Sequence, residues 1–450
     1  MLITIKYGIL YSNRNFLECR DFVAIRMTTH KGAHRATTSV ETHFRKTVLE
    51  NGIRIVSEYI PTVRSVSVGL WIDVGSRDER TGKHGISHFL EHMVFKGTQR
   101  RNMRQIAQSI ESIGGYINAF TTKEHTCFYA RVLDEHLERA VDVITDLVKE
   151  PTFNPKEITK EKYVVLEELK QIEDDPDDVI HDYLDKVMYH PHPLGEPIIG
   201  NSESIQNIER DDLFNHLKHN YTPDRMVLAA AGNVDHDELV AYAEKYIGTL
   251  KRSHFENGKS RLPRRRNRYV EIKKPVQQAY VCMGTKTFGI HSNNRYPLLI
   301  LNALLGEGMS SRLHQVIREK HGLAYTTYSF VNLLKDTGVF GIYVGTDSGK
   351  VTKAMKLVYN EFEKLQNKPI PRAEMKRTVS QIKGNLMLGL ENMSSRMMRI
   401  GAGELYFKRY TSLDSMLQKI DEVTTDDIQR VAQEILDTDK FSTVVFKPTT

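Results

Sequence analysis

The sequence predicts an α+β protein made of two homologous units, and three observations support this fold class. The chain has 450 residues of ordinary globular composition, which is enough for several domains. The order of strand-like and helix-like segments in residues 45–250 recurs in residues 275–450. A basic stretch, residues 251–274, lies between the two halves and is expected to be a linker. Each unit should therefore be a mainly antiparallel sheet with helices packed on one face.

The first unit opens with strand patterns. Residues 48–58 (VLENGIRIVSE) predict a strand, an Asn-Gly turn and a second strand, and residues 65–75 alternate small and apolar side chains as a central strand does. Helical periodicity predicts three helices, over 84–96, 103–115 and 134–149. Pro155 then opens a long helix rich in Glu and Lys, which should break near Pro176.

The second unit follows the same order. Its alternating segments predict strands over 277–288, 323–332 and 337–346. Its periodic segments predict helices over 294–308, 310–322 and 348–365. Pro371 opens another long helix, as Pro155 does in the first unit. Such a duplication predicts two jaws with a cavity between them.

Residues 1–44 differ from the rest, because they show no sustained period, and we expect a poorly ordered extension there. Their Arg content and few acids also suit a transit peptide, and initiation at Met27 is a third alternative. The apolar start of the chain is followed by SNRN and not by a small-residue cleavage site. We therefore expect a bacterial cytoplasmic protein, with the mitochondrial matrix as the alternative.

Charge and composition narrow the function classes. The net charge is +6, but residues 251–274 alone hold ten Lys and Arg against two acids, so the remaining chain is slightly acidic. A nucleic-acid or anionic-surface binder using residues 259–274 is one hypothesis, yet no aromatic residues are interleaved with the arginines to stack on bases, so we expect no nucleic acid. The sequence contains no run of about 18 apolar residues, so it predicts no membrane span. Three scattered cysteines exclude a disulfide scaffold.

The residues His88-Phe89-Leu90-Glu91-His92 are the sharpest chemical feature. In a helix, side chains four residues apart share a face, so His88 and His92 can present ring nitrogens to one ion. Imidazole pairs at this spacing suit zinc, and Glu91 is placed to accept a proton from a water at the open position of the metal. The HxxEH order is a known zinc-peptidase signature. The alternative is a surface helix with two ordinary histidines.

A third ligand should come from a carboxylate on another helix. Glu161 and Glu168 lie seven residues apart and face the same way, whereas Glu167 points about 100° away. This spacing predicts one ligand and one supporting group from the pair, without deciding which is which. The alternative is a solvated Glu/Lys-rich helix.

The segments GISHFLEHMVFKGT, GGYINAFTTKEHTCFYA and VVLEELKQIEDDPDD resemble the inverzincin metallopeptidases, which include pitrilysin, insulin-degrading enzyme and the mitochondrial processing peptidase. The shorter bacterial processing-peptidase-like members are the most similar, and the resemblance runs from about Thr47 to the C-terminus. In that family a third zinc ligand follows the second histidine by 76 residues, which implies Glu168. The auxiliary catalytic glutamate seven residues earlier matches Glu161. The resemblance thus implies one Zn²⁺ per chain.

The resemblance also implies substrate contacts in the first unit. Phe95 resembles the residue that lines the pocket for the side chain after the scissile bond, with core packing as the alternative. The segment Ala119-Phe120-Thr121 resembles the edge strand to which substrate adds as a β-strand, and Asn118 belongs to the same stretch. No specific role follows for Asn118.

Two further pairs match the family at a distance from the motif. Asp178 and Asp182 stand where the processing peptidase has acids that recognise a substrate arginine, although the first is Asp where Glu is expected. A first-turn position in a helix is the competing explanation. Arg318 and Tyr325 have the spacing of an Arg and a Tyr that grip the substrate backbone, with purely structural roles as the alternative.

These observations predict a zinc endopeptidase that hydrolyses peptide bonds in oligopeptides or unfolded segments, with an Arg preference near the cleavage site. The second unit carries no HxxEH motif and should grip substrate. The alternative function is a catalytically silent structural subunit of the respiratory core-protein type. A homodimer is expected, since two chains would match the four units of the larger relatives, and a heterodimer with an inactive partner remains open.

Overall fold

The computed structural model describes residues 43–252, 261–263 and 267–449. The expectations for nearly all of residues 1–44, and for much of the basic stretch, lie outside the described residues. The strands of the first sheet are β1 (His43–Val48), β2 (Arg54–Tyr59), β3 (Ser65–Ile72), β4 (Tyr116–Thr121), β5 (Thr126–Leu133) and β6 (Met226–Gly232). Those of the second sheet are β7 (Tyr269–Lys274), β8 (Ala279–Thr287), β9 (Ala324–Leu333), β10 (Gly338–Thr346) and β11 (Ser442–Pro448).

Helices lie between the strands along the described chain, which begins with β1 and ends with β11. The first half contains α1 (Ile86–Val94), α2 (Met103–Glu111), α3 (Leu137–Lys149), α4 (Pro155–Asp174), α5 (Pro176–Tyr189), α6 (Ser202–Gln206), α7 (Arg210–Asn220) and α8 (His236–Ile247). The second half contains α9 (Arg295–Gly306), α10 (Val351–Asn367), α11 (Arg372–Gly389), α12 (Met393–Phe407), α13 (Leu413–Asp421) and α14 (Thr425–Ile435). Among the described residues, none of these helices combines the length and the apolar character needed to cross a bilayer.

The two sheets share one topology, which confirms the predicted α+β fold of two homologous units. The first sheet has the order β1-β2-β6-β3-β5-β4 and the second has β7-β11-β8-β10-β9. The β2–β6 and β7–β11 pairs are parallel, and the other strand pairs are antiparallel. Strand β1 is an addition to the first sheet, joined to β2 through the predicted Asn-Gly turn, where Gly52 has φ +97°.

Each sheet is covered on one face by helices of its own unit and on the other by a helix from the opposite unit. Helix α12 packs on β2, β3 and β6, and the indole Nε1 of Trp71 donates to the sulfur of Met397 at 3.4 Å. A Cβ at Gly401 would lie 2.3 Å from that nitrogen, so only glycine allows this approach. Helix α5 packs on β8 and β11 in the same way, with Gly284 against Leu184.

Two local predictions differ from the structure. The helix expected over 310–322 is a shorter π-helical segment, His314–Lys320, whose wider turns occur mostly as short insertions. The end of the predicted linker, Tyr269–Lys274, forms β7 beside β11, so this part of the basic stretch belongs to the second sheet.

Candidate metal centre

Helix α1 is buried along its whole length, all nine of its residues being shielded from solvent. Its N-cap is Gly85, whose φ of +91° and close approach to the carbonyl of Ile199 require glycine. The buried carboxylate of Glu79 accepts hydrogen bonds from the backbone N–H groups of Gly85 (2.8 Å) and Ser87 (2.9 Å) and so caps the first turn. The polar side chains of α1 are therefore held rigidly inside the protein, where each needs a partner.

His88, His92 and Glu168 form a compact ligand set, because one donor atom from each lies within 4.8 Å of the others. The Nε2 atoms of the two histidines lie 3.8 and 3.7 Å from the carboxylate oxygens of Glu168. A tetrahedral zinc ion with bonds of about 2.1 Å separates its ligand atoms by roughly 3.4 Å. Two imidazoles and one carboxylate at these separations fit zinc with a fourth position left open.

Glu161 lies beside this cluster and not within it. Its Oε1 accepts a hydrogen bond from His92 Nδ1 at 2.9 Å, which directs Nε2 towards Glu168. Its Oε2 lies 2.6 Å from Lys96 Nζ. Burial alone would raise the pKa of Glu161, but the hydrogen bonds from His92 and Lys96 outweigh it and hold that pKa below its usual value.

Glu91 is 4% exposed, and its carboxyl is close enough to His92 and Glu168 for their charges to act on it. Thr121, at the end of the edge strand β4, donates its hydroxyl to Glu91 Oε2 at 2.6 Å. Burial raises the pKa of Glu91 to about 7, although the hydrogen bond from Thr121 opposes the rise. A buried carboxylate held in this way beside the ligand cluster is suited to general-base chemistry.

The structure therefore brings together the motif of α1 and the predicted face of α4. Glu167 points outward, as the helical spacing predicts, and pairs with Lys170 at 67% exposure. Two contributors were missed in the sequence. Lys96 stands four residues after His92, so the same-face rule could have found it. The link between Thr121 and Glu91 spans 30 residues and has no local signal.

The predicted substrate strand lies at the sheet edge. Strand β4 pairs with β5 on one side and is the last strand of its sheet in the described part of the chain. The side chains of Asn118, Ala119 and Phe120 are buried, so its main chain is the part that could meet a peptide. Phe120 packs edge-on against Trp71 at 5.6 Å, and Asn118 donates to the hydroxyl of Tyr116.

The remaining predicted residues lie on other elements. Phe95 directly follows α1 and is half-buried, with its ring 6.4 Å from that of Phe128. Asp178 and Asp182 are on α5, the helix that packs on the second sheet, and not on α4 with Glu168. Arg318 and Tyr325 do come together, since the guanidinium stands 4.8 Å over the centre of the phenol ring.

The two-unit fold and this cluster are the features expected of a metallopeptidase built from two homologous units. Residues 54–202 match the family described as insulinase (peptidase family M16), and residues 207–382 match the peptidase M16 inactive domain. The chain belongs to the insulinase (M16) family of peptidases.

Curated relatives and solved structures agree with this assignment. The chain is 40% identical over 399 residues to "Uncharacterized zinc protease YmxG" of Bacillus subtilis, covering 89% of this chain and 97% of that protein. It is 39% identical to "Uncharacterized zinc protease ML0855" of Mycobacterium leprae, covering 87% and 89%. The fold matches a protease from Helicobacter pylori with a TM-score of 0.86 at 24% identity, covering 90% of this chain and 100% of that one. The relatives' names support a peptidase and suggest zinc.

Proposed function

We propose that this chain is a zinc-dependent endopeptidase that hydrolyses peptide bonds in oligopeptides or unfolded segments. The observation that carries the proposal is the buried cluster of His88, His92 and Glu168, with the carboxylate of Glu91 beside it. One zinc ion per chain would be held by these three ligands. When bound, zinc would polarise the scissile carbonyl and make water more acidic.

The residues of the chain supply the remaining steps. Thr121 fixes one oxygen of Glu91, so the other oxygen is available to accept a proton from the attacking water and to return it to the leaving amine. The main-chain groups of β4 would hold the substrate as an added strand beside Ala119 and Phe120. Such backbone pairing binds extended segments with little dependence on sequence, which supports oligopeptides or unfolded chains as substrates.

Specificity and assembly extend the same proposal. Asp178 and Asp182 would favour an arginine near the cleavage site through charge-assisted hydrogen bonds. Arg318, half-exposed beside Tyr325, would contact the substrate backbone from the second unit. A homodimer would complete a four-unit chamber, and sedimentation velocity would test it. The bacterial origin of these relatives is consistent with the proposed bacterial cytoplasmic location, and the mitochondrial matrix stays the alternative.

The test compares the wild type with Glu91→Gln, using Glu167→Gln on α4 as the matched control. Glu167 is an exposed carboxylate that faces away from the cluster. We expect about one zinc per chain in all three proteins by elemental analysis. Cleavage of an Arg-containing, presequence-like peptide should be seen only for the wild type and the control.

Two results would contradict the proposal. Equal cleavage by Glu91→Gln and wild type would remove Glu91 as the base. Absence of zinc from the wild type would favour the catalytically silent structural subunit. The match of residues 207–382 to an inactive domain does not bear on this choice, because Glu91 and the three ligands lie before that segment.

A further inference from the structure

Lys96 lies two residues beyond the C-terminal end of α1, and its backbone N–H bonds to the carbonyl of Met93 at 3.1 Å. This turn directs the side chain towards α4, where Nζ reaches Glu161 Oε2 at 2.6 Å. The side chains are 17% and 4% exposed. This is therefore a largely buried ion pair, in which loss of either partner leaves an uncompensated charge.

Both oxygens of Glu161 are occupied by this arrangement. Lys96 takes Oε2, and His92 Nδ1 takes Oε1 at 2.9 Å. Glu161 and Glu168 share one face of α4, two turns apart, and both are carboxylates that a metal ion could recruit. Helical geometry does not distinguish the ligand from the supporting residue. The ammonium group of Lys96 does distinguish them, because it lies beside Glu161.

We propose that Lys96 is a positioning residue that decides the ligand set: it holds Glu161 out of the metal's coordination sphere as the acceptor for His92, so that Glu168 is the third ligand. The inference rests on the proposed zinc site. With Lys96 in place, Glu161 fixes the ring orientation and tautomer of His92. Without the cation, Glu161 is released to compete for the metal.

The experiment uses the full chain loaded with Co²⁺, whose visible absorption depends on coordination number and on ligand type. Lys96→Met should alter the position and intensity of the absorption bands and raise the zinc dissociation constant about 10-fold, measured against a chromophoric chelator. Lys96→Arg keeps the cation and should retain the wild-type spectrum. In a Glu161→Gln background, Lys96→Met should cause no further change, because the competing carboxylate is gone.

Lys160→Met is the matched control, since Lys160 is a 70% exposed lysine of α4 paired with Glu157. It should leave the spectrum and the zinc affinity unchanged. Circular dichroism of each variant establishes that it is folded, and Lys96→Arg keeps the test decisive if Lys96→Met unfolds, because a changed spectrum with a retained cation would overturn the proposal.

The outcomes separate this inference from the proposed function. A wild-type spectrum in Lys96→Met, or the same spectral change with and without Glu161, would overturn the positioning role alone. A Lys96-dependent spectrum in a protein that cleaves no peptide would support the positioning role while the peptidase proposal fails. A wild type that binds no Co²⁺ would overturn both.

Discussion

Each unit contains an equivalent pair of packed helices, α1 with α4 in the first and α9 with α11 in the second, but the side chains on the two pairs differ. In the first unit, α1 and α4 enclose the only group of three metal-ligating side chains among the described residues. In the second, the equivalent helix α9 buries leucines. Gly384 lies thirteen residues after Pro371, the proline that opens α11, whereas Glu168 lies thirteen residues after Pro155, the proline that opens α4. A Cβ at Gly384 would meet nothing within 4 Å. The two units share a fold, and a few side chains make the first unit a candidate metal centre.

Replacing the third ligand should give the largest effect. Glu168→Ala is expected to lose zinc and at least about 1000-fold in kcat, because the metal contributes several kcal/mol to transition-state stabilisation. Gly384→Glu tests the converse in the second unit. It should leave the zinc content at one per chain, since α9 offers no imidazole pair. Elemental analysis and peptide cleavage measure both variants, and a second zinc in Gly384→Glu would break the comparison.

The two interfaces that α12 and α5 make with the sheet of the opposite unit should differ in strength. Glu58 of β2 is fully buried against Arg396 and Arg399 of α12, at 3.1 and 3.0 Å. Glu58→Gln should lower the free energy of unfolding by about 3 kcal/mol, because two largely buried guanidinium groups lose their fully buried counter-charge.

At the other interface, His181 of α5 is hydrogen-bonded to the hydroxyl of Tyr328 at 3.0 Å. Tyr328→Phe should cost only about 1 kcal/mol, the value of one such hydrogen bond. Urea unfolding of the two variants gives the comparison directly. Equal losses would show that the ion pairs of α12 contribute no more than the polar contact of α5.

The same two interfaces should respond alike to acid. His125 packs against Trp71 and Tyr406 and is buried, whereas His181 is half-buried, and desolvation lowers the pKa of each ring to about 4. Because the unfolded chain takes up the proton near pH 6.5 and the folded chain only near pH 4, stability falls as the pH drops through that window.

Each ring contributes a few kcal/mol at most to this loss. His125→Phe and His181→Phe should each reduce the difference between the free energies of unfolding at pH 7 and pH 5. Urea unfolding at the two pH values measures it. A wild-type pH dependence in either variant would show that its histidine is not neutral in the folded state.

Local sequence patterns predicted the elements but not their partners. The spacing of His88, Glu91 and His92 and the shared face of Glu161 and Glu168 follow from the periodicity of one helix, so they could be read directly. The packing of α5 and α12 on the sheet of the opposite unit could not be predicted, because it depends on close approaches between distant residues, such as that of Gly401 on α12 to Trp71 on β3. The same holds for the bond from Thr121 to Glu91, which joins a strand to a helix 30 residues away.

Comparably small effects are expected for the hydroxyl groups that tie each edge strand to its neighbouring helix. In the first unit Thr121 donates to the side chain of Glu91, whereas in the second Ser329 donates to the backbone carbonyl of Asn302 at 2.9 Å. Thr121→Val should lower kcat about 10-fold with KM unchanged, since a hydrogen bond to a charged group is worth about 1.5 kcal/mol. Thr121→Ser should restore it.

Ser329→Ala should instead cost about 1 kcal/mol of unfolding free energy and leave kcat unchanged, because its acceptor is a helix carbonyl with no part in the chemistry. Steady-state kinetics and urea unfolding of both variants resolve the contrast. A loss of kcat in Ser329→Ala equal to that in Thr121→Val would mean that the edge strands act on catalysis through general rigidity. A loss confined to Thr121→Val would mean that a hydroxyl donating from an edge strand to a helix affects catalysis only where its acceptor is the side chain of a glutamate.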